Sequence, residues 1–333
     1  MTPLLVAAGL VKRYTVPRGL FGGAPRPLPA LRGIGFEVGR GETLALVGES
    51  GSGKTTAGRI VARLVDPDAG TVRLDGEDWL ALEGEALRRR RREVQVVFQD
   101  TSGSLNPRLT AGDQIAEPLR IHGLAPRRAL AEETRRRLAD VGLPPEVAGR
   151  YPSELSGGQR QRVSIARALA PAPRLVVCDE PVSALDVSIA AQIVNLLLDL
   201  QERTGVSYLF ISHDLAVVAR MARRVAVMYR GAVVEEGPVE AVVARPLHPY
   251  TSALVAAAGG ETDDRARGAA PASALDPPSG CPYHPRCPVA RPRCRTDLPT
   301  LEAAGEGRSV ACFFPGEAND MKGFPETFHR PNA

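Results

Sequence analysis

The sequence predicts an α/β protein with a mostly parallel sheet, an inserted helical subdomain and a small cysteine-containing C-terminal extension. Three continuous apolar runs are typical of strands buried on both faces: Thr43–Val47, Leu175–Cys178 and Val206–Ile211. Helix-like runs follow the first two, and strands that alternate with helices favour a layered parallel sheet. With 333 residues, 44% hydrophobic and 24% charged, the chain is long enough for a large globular domain and an appendage.

The N-terminal part of the chain predicts short strands. We interpret the apolar run Pro3–Val11 as a first strand and the Gly- and Pro-rich segment Pro17–Pro29 as a hairpin-like loop. The apolar start lacks the basic leader and cleavage site of a secretory signal. No stretch approaches the roughly 18 apolar residues that a membrane span needs, so any membrane role must come through a partner.

The charge balance argues against a nucleic-acid partner. The chain has 42 basic and 38 acidic residues, a net charge of +4, which is too small an excess to indicate one. The run Arg88–Arg92 could form a nucleic-acid patch, but a solvated helix is the better interpretation in a chain so nearly balanced.

The segment Gly48–Thr55 fits the phosphate-binding pattern G-x-x-x-x-G-K-[ST]. It follows the strand Thr43–Val47 and opens a predicted helix over Thr55–Val65, which is the context that this motif requires and that a chance glycine turn lacks. Backbone N–H groups of the loop would surround phosphate oxygens, Lys54 would reach the β- and γ-phosphates, and Thr55 would ligate Mg²⁺. The predicted nucleotide-binding residues are Gly48, Ser50, Gly51, Ser52, Gly53, Lys54, Thr55 and Thr56.

Two carboxylates follow the second buried strand. Asp179 and Glu180 come after Leu175–Cys178, at the carboxyl edge of the predicted sheet, where ligands bind in such folds. Asp179 would hold Mg²⁺, directly or through water, and Glu180 would orient and deprotonate an attacking water. An isolated Asp-Glu pair is more often a solvated loop, but its position after a buried strand favours catalysis.

A second predicted anion-binding helix N-terminus narrows the choice of protein family. Leu155-Ser156-Gly157-Gly158-Gln159 precedes a predicted helix over Gln159–Leu169, and Ser156 could be an ordinary N-cap. Together with the phosphate loop, this motif makes the chain resemble ATP-binding cassette (ABC) ATPases, with their RecA-like sheet core and antiparallel β part. The resemblance implies ATP and Mg²⁺ as ligands, and a head-to-tail pair in which Ser156, Gly157, Gly158 and Gln159 face the nucleotide of the partner.

The same resemblance assigns roles to four further residues. Tyr14 resembles the aromatic residue that stacks on adenine. Gln99 resembles the glutamine that senses Mg²⁺ and the attacking water, and His213 the switch histidine near the γ-phosphate. Asp186, in Ser183-Ala184-Leu185-Asp186, resembles the loop that crosses to the other cassette.

Several segments resemble the ATPase subunits of dipeptide and oligopeptide importers: Phe98-Gln99-Asp100, Ser104-Leu105-Asn106-Pro107-Arg108, Cys178-Asp179-Glu180-Pro181-Val182-Ser183-Ala184-Leu185-Asp186, His248-Pro249-Tyr250-Thr251 and Cys281-Pro282-Tyr283-His284-Pro285-Arg286-Cys287. The match runs from about residue 5 to 315. It implies a subunit at the cytoplasmic face of the cell membrane that powers import of peptides or similar small solutes. The implied partners are a second, non-identical ABC ATPase, two transmembrane permease subunits and an extracytoplasmic solute-binding protein.

The resemblance also organises the chain. It implies an ABC domain over residues 1–258, with a helical subdomain over about 100–165. Residues 259–280 have the Gly, Ala, Pro and Asp composition of a linker, 281–315 form the cysteine-rich extension, and 316–333 form a loose tail.

Four cysteines in the extension suggest a metal centre, because clustered thiols in a reducing compartment seldom form disulfides. Tetrahedral Zn²⁺ and a [4Fe–4S] cluster both suit four thiolates. The C-x2-C pattern of most zinc sites is absent, and related importer ATPases are associated with iron–sulfur clusters, so we expect [4Fe–4S], with zinc or free thiols as alternatives. The expected ligands are Cys281, Cys287, Cys294 and Cys312, carried by loops because the segment is rich in proline.

Other ABC ATPases remain alternatives. A soluble member acting on DNA is disfavoured because the stretch between Lys54 and Ser156 is too short for the long coiled coils that repair-type members insert. A ribosome-acting member would carry two cassettes per chain. The cassette alone does not exclude an exporter, and importers of nickel or other solutes use similar subunits.

Overall fold

The computed structural model describes residues 2–16, 26–259 and 279–318. The strands are β1 Leu5–Val16, β2 Arg26–Val38, β3 Thr43–Val47, β4 Ala69–Leu74, β5 Glu77–Asp78, β6 Val94–Val97, β7 Leu175–Asp179, β8 Ser207–Ser212, β9 Arg224–Tyr229, β10 Ala232–Pro238, β11 Glu302–Ala303 and β12 Ser309–Val310. The α-helices are α1 Lys54–Val61, α2 Gly84–Arg90, α3 Thr101–Ser104, α4 Ala111–Ile121, α5 Leu130–Asp140, α6 Gly157–Leu169, α7 Val187–Thr204, α8 Leu215–Met221, α9 Val239–Ala244, α10 Pro249–Ala258 and α11 Pro292–Thr296. Short 3₁₀ turns cover Arg91–Glu93, Arg127–Ala129, Pro145–Gly149, Pro152–Glu154 and His284–Arg286.

The main sheet has eight strands in the order β11-β12-β10-β9-β3-β8-β7-β6. The five from β9 to β6 run parallel, and β10, β12 and β11 add an antiparallel flank. All residues of β3, β7 and β8 are buried, which explains why the interior of each strand is apolar and polar residues stand only at the strand ends. The predicted mostly parallel sheet is confirmed.

A second sheet, antiparallel in the order β2-β1-β4-β5, is formed by strands from the N-terminal part of the chain. The predicted loop over Pro17–Pro29 is wrong at its C-terminal end, because Pro27 and Pro29 belong to β2, while residues 17–25 lie outside the described part. β2 is an edge strand, where a residue without an N–H group is tolerated.

Alternation along the central strands divides the apolar side chains between two cores. Leu44 and Leu46 of β3 face a core shared with α1 and the antiparallel sheet. Ala45 and Val47 face the other core, which includes the helices α4 to α8. Helix α1 therefore packs between the two sheets, and the loop before it is anchored by buried structure on both sides.

Helices fill the stretch between β6 and β7, which the structure describes throughout. Further on, α7 ends at Thr204 and is capped by Gly205, whose φ of 70° is the left-handed conformation that glycine favours. Helix α1 stops at Val61, short of the predicted Val65. The basic run Arg88–Arg92 lies on α2 and the following turn, where no residue is buried, as expected for a solvated helix. Within the described ranges, none of the helices has the length and apolar character to cross a bilayer.

The C-terminal extension packs directly on the main domain. Strand β12 pairs with β10, with Val310 opposite Glu235. Tyr283 is buried within the core on the helical side of the sheet. The prediction that loops carry all four cysteines is wrong for Cys294, which lies in α11. Pro292 explains this, because proline is favoured in the first turn of a helix.

Candidate nucleotide-binding and hydrolysis site

The phosphate-binding loop connects β3 to α1, and glycine is required where it passes close to the backbone. A Cβ on Gly48 would lie 2.1 Å from the carbonyl oxygen of Met228, and one on Gly53 would lie 2.5 Å from that of Ala30. Both glycines have positive φ, 149° and 106°. The pattern of the motif therefore follows from contacts with β9 and β2.

Lys54 is 4% exposed and lies inside this loop. Its Nζ donates hydrogen bonds to the carbonyl oxygens of Gly48 at 2.7 Å and Glu49 at 3.0 Å. Burial lowers the pKa of Lys54, while the carboxylates of Glu180, Asp179 and Glu49 oppose the shift. The ammonium group thus stands at the centre of the loop, held by acceptors that a bound phosphate could replace.

Thr55 and Asp179 form an oxygen-rich pair. The Thr55 hydroxyl donates to Oδ1 of Asp179 at 2.9 Å. Asp179 ends β7 and is 7% exposed, and burial raises its pKa although the bond from Thr55 opposes the shift. A hydroxyl beside a carboxylate is the donor set that Mg²⁺ favours, so the residues present fit this ion.

Glu180 contacts two other residues that the sequence predicts for the site, Gln99 and His213. Nε2 of Gln99 donates to its Oε2 at 3.0 Å, and Nδ1 of His213 lies 3.3 Å from the same oxygen. Glu180 adopts a φ of 47°, which is uncommon for a residue with a side chain. The N–H of Glu180 donates to the carbonyl oxygen of Ile211 on β8, which fixes this turn.

These groups surround one cleft of about 790 Å³. Tyr14 on β1 lies at its wall with an intermediate exposure. The cleft is large enough for a nucleotide-sized ligand. The predicted residues that line it are Tyr14, Gly48, Ser50, Gly51, Gly53, Lys54, Thr55, Thr56, Gln99, Glu180 and His213. Asp179 and Ser52 do not line it but are buried directly behind it through their bonds to Thr55 and Lys54.

The second motif lies apart from this cleft. Ser156 caps α6: its hydroxyl accepts a hydrogen bond from the N–H of Gln159 at 3.2 Å. The side-chain oxygen of Gln159 accepts a second hydrogen bond from the N–H of Ser156. Asp186 caps α7 in a similar way through the N–H of Ile189. Neither these residues nor Gly157 and Gly158 line the cleft. The structure therefore does not bring the second motif to the phosphate loop of its own chain.

Two arginines at the cleft were missed from the sequence. Arg32 on β2 and Arg230 after β9 both line it. Burial and the nearby charge of Arg230 lower the pKa of Arg32, whose Nε is buried without a hydrogen-bond partner. No local motif could have indicated them, because pairing of distant strands brings them to the cleft.

The four C-terminal cysteines line one small cavity. Burial raises the pKa of the Cys287 thiol to about 12 and that of Cys312 to about 11, and neighbouring cysteines add to both shifts. The cavity has a volume of about 10 Å³, room for about one water molecule. Among the residues that the structure describes, no three His, Cys, Asp or Glu side chains are placed to hold a metal ion. The thiols therefore converge without forming a finished metal site.

Comparison with known proteins places these observations in a family. The ABC transporter family matches residues 31–183, and the family "Oligopeptide/dipeptide transporter, C-terminal region" matches residues 234–294. A "Probable peptide ABC transporter ATP-binding protein" of Sinorhizobium fredii is 51% identical over 93% of this chain and 89% of its own length. A dipeptide transport ATP-binding protein of Haemophilus influenzae is 45% identical over 94% of this chain and 97% of its own.

The chain belongs to the ABC transporter ATP-binding proteins. As a member, it is an ABC-type ATPase that binds ATP with Mg²⁺. A dimeric ATP-binding cassette solved with ADP and phosphate is similar to this ABC ATPase, with a TM-score of 0.63 and 30% identity over 71% of this chain and 98% of that one. The expected fold, an ABC cassette with an antiparallel β part, is confirmed.

Proposed function

We propose that this ABC ATPase powers the import of di- or oligopeptides, or of similar small solutes, through a membrane permease. The observation that carries the proposal is that this chain contains two features together. Glu180 contacts Gln99 and His213 beside the phosphate-binding loop, and the C-terminal region matches the peptide-transporter family. The curated relatives named above are described as peptide and dipeptide transport proteins, which favours the same class of solute.

The residues at the cleft have different proposed roles toward the phosphates, the metal ion and the adenine ring. Lys54 and the loop N–H groups would bind the β- and γ-phosphates, using donors that now contact the loop itself. Thr55, Asp179 and Gln99 would hold Mg²⁺, which supplies charge neutralisation for the phosphates. Tyr14, at the wall of the cleft, would stack on the adenine ring.

Glu180 is the proposed general base. Its Oε2 already accepts from Gln99, and the carboxylate faces the cleft in which a water molecule would attack the γ-phosphate. His213 is 59% exposed at its side chain, so it can leave Glu180 and donate a hydrogen bond to the γ-phosphate. Glu180 would take the proton of the attacking water and release it to solvent after phosphate departs.

A second cassette would complete the site. Ser156 and Asp186 are exposed helix caps that do not line the cleft of their own chain, which suits contact with the nucleotide or loop of a partner. We propose a head-to-tail heterodimer at the cytoplasmic face of the membrane, served by two permease subunits and an extracytoplasmic solute-binding protein. The helical region over about 100–165 would transmit cassette closure to the permease.

The cysteine cavity is proposed to hold a [4Fe–4S] cluster, with zinc as the alternative. Four thiols that line one cavity are a suitable donor set for either centre. The present volume of about 10 Å³ means that the thiols would have to separate to admit a cluster. Its proposed role is structural or regulatory.

The substitution Glu180→Gln tests the hydrolytic assignment. It removes the base but keeps the size of the side chain, so ATP hydrolysis in the assembled transporter is expected to fall about 10²- to 10⁴-fold. Binding of MgATP and ATP-dependent association of cassettes should persist. Glu202→Gln, at an exposed position on α7, is the matched control and should leave hydrolysis unchanged. Near-normal turnover of the Glu180 variant would refute the assignment.

A further inference from the structure

An ion pair joins the C-terminal extension to the phosphate-binding loop. Arg286 lies in the 3₁₀ turn His284–Arg286, between two of the cysteines. Its two terminal nitrogens donate to the two carboxylate oxygens of Glu49, at 3.1 and 3.0 Å. Glu49 is the second residue of the loop Gly48–Thr55. This two-pronged pairing fixes both the position and the orientation of the carboxylate.

Glu49 is also held through its backbone. Its N–H donates to the hydroxyl of Tyr250 on α10 at 2.7 Å, and its carbonyl oxygen accepts from Nζ of Lys54 at 3.0 Å. The residue is therefore tied to the extension, to α10 and to the central lysine of the loop. Any displacement of Glu49 would be transmitted to Lys54 within the same turn.

Arg286 is well anchored at its own end. Its side chain is 16% exposed, it donates a hydrogen bond to Tyr229, and its guanidinium lies 5.6 Å from the centre of the Tyr283 ring. The rings of Tyr229, Tyr250 and Tyr283 contact one another, with centroids 4.6 to 5.5 Å apart. Because this aromatic cluster belongs to the buried core, Arg286 presents a rigid fork to the loop.

We propose that Arg286 is a positioning residue for ATP binding: it holds the phosphate-binding loop through Glu49 and thereby makes nucleotide affinity depend on the C-terminal extension. The role is conformational: Arg286 does not line the cleft, whereas Glu49 does, so Arg286 acts on the bound nucleotide through Glu49. The inference rests on the assignment of Gly48–Thr55 as the nucleotide site. It requires neither metal in the cysteine cavity nor any particular transported solute.

The expected effect is moderate because the Glu49 side chain is 45% exposed, and solvent weakens such pairs. In the full-length chain, Arg286→Ala should raise the Kd for MgATP about 3- to 10-fold, between the values typical of exposed and buried charged pairs. In the assembled transporter it should raise KM for ATP by a similar factor with little change in kcat. Arg286→Lys keeps the positive charge but cannot form the two parallel hydrogen bonds with the carboxylate. Its Kd for MgATP should therefore lie between those of the unsubstituted protein and Arg286→Ala.

Glu49→Ala supplies the other half of a double-mutant cycle and leaves the extension itself intact. If the two residues act as a pair, this variant matches Arg286→Ala and the double variant is no worse than either single one. Arg293→Ala, which removes an exposed ion pair with Asp297 and a contact with the Phe313 ring elsewhere in the extension, is the matched control and should leave Kd unchanged.

Three results would decide against the inference: unchanged Kd in both single variants, additive losses in the double variant, or a loss in Arg286→Ala that Glu49→Ala does not share. The last would show that Arg286 does not affect nucleotide affinity through Glu49. Lys54→Ala separates this inference from the assignment of the site. If that variant still binds MgATP normally, the nucleotide site is misplaced, whereas loss of binding there with normal Arg286 variants rejects only the positioning role.

Discussion

Gly48→Ala offers a quantitative test of how the phosphate-binding loop is built. The new Cβ would lie 2.1 Å from the carbonyl oxygen of Met228 and 3.0 Å from Oγ of Ser52, where ordinary contacts begin near 3.4 Å. The loop or β9 must therefore shift by more than about 1 Å. The φ of 149° adds strain, because side-chain-bearing residues rarely adopt it.

Gly51→Ala is the matched control in the same loop. Its φ is 80°, but a Cβ there would meet nothing within 4 Å. The control should therefore cost only the backbone strain of a left-handed residue, about 1–2 kcal/mol. Gly48→Ala combines backbone strain of about 1–3 kcal/mol with overpacking of a further 1–3 kcal/mol, or about 2–6 kcal/mol in all.

The assay is thermal unfolding of both variants with and without MgATP. Each kcal/mol corresponds to a few degrees in Tm for a domain of this size, so Gly48→Ala should unfold several degrees below Gly51→Ala. If a local shift of the loop relieves the strain, the domain itself keeps its stability. MgATP should then no longer raise the Tm of Gly48→Ala, because the N–H groups of the shifted loop lie farther from the phosphates. Equal Tm values of the two variants without nucleotide, together with stabilisation of Gly48→Ala by MgATP as large as that of the unsubstituted protein, would refute the reasoning.

The remaining predictions concern the partner cassette and the cysteines. Ser156→Arg should block hydrolysis at the phosphate loop of the partner but leave MgATP affinity of its own chain unchanged, since Ser156 does not line its own cleft; loss of nucleotide binding by the isolated variant would contradict a role in trans. Protein purified without oxygen should contain iron and sulfide and absorb in the visible range. Stoichiometric zinc without iron would move the assignment to a zinc site, and a metal-free, protease-resistant extension would reject a metal centre at Cys281, Cys287, Cys294 and Cys312.

The parts of the fold that sequence predicts well are those in which burial acts on a short continuous segment. β3 is predicted with its observed bounds, Thr43–Val47, because the strand is buried on both faces and the four residues after Thr43 are all apolar. The phosphate-binding loop follows for a related reason, since its glycines and lysine lie within eight consecutive residues. Local sequence therefore carries enough information for both.

Contacts between distant segments were not predictable from the same patterns. The pairing of Arg286 with Glu49 depends on how the extension docks on the aromatic cluster, which no local motif encodes. The prolines at the start of β2 were misleading, because proline usually marks a loop and only the edge position in the sheet makes it compatible with a strand. Tertiary context decided both cases.

The fold separates two carboxylates that are neighbours in the sequence, Asp179 and Glu180. Along β7, Asp179 alternates onto the same face as Val177, which packs in the core shared with α1, and there it meets Thr55. If β7 continued as a regular strand, the Glu180 side chain would lie on the same face as Cys178, which belongs to the core on the other side of the sheet. Instead the strand ends, and Glu180 adopts a φ of 47° and reaches Gln99 and His213. A left-handed conformation costs a side-chain-bearing residue about 1–2 kcal/mol, which glycine would avoid, but only with loss of the carboxylate. The strain at this position therefore accompanies the placement of one carboxylate beside Thr55, where we propose a metal ion, and of the next beside Gln99 and His213, where we propose the attacking water.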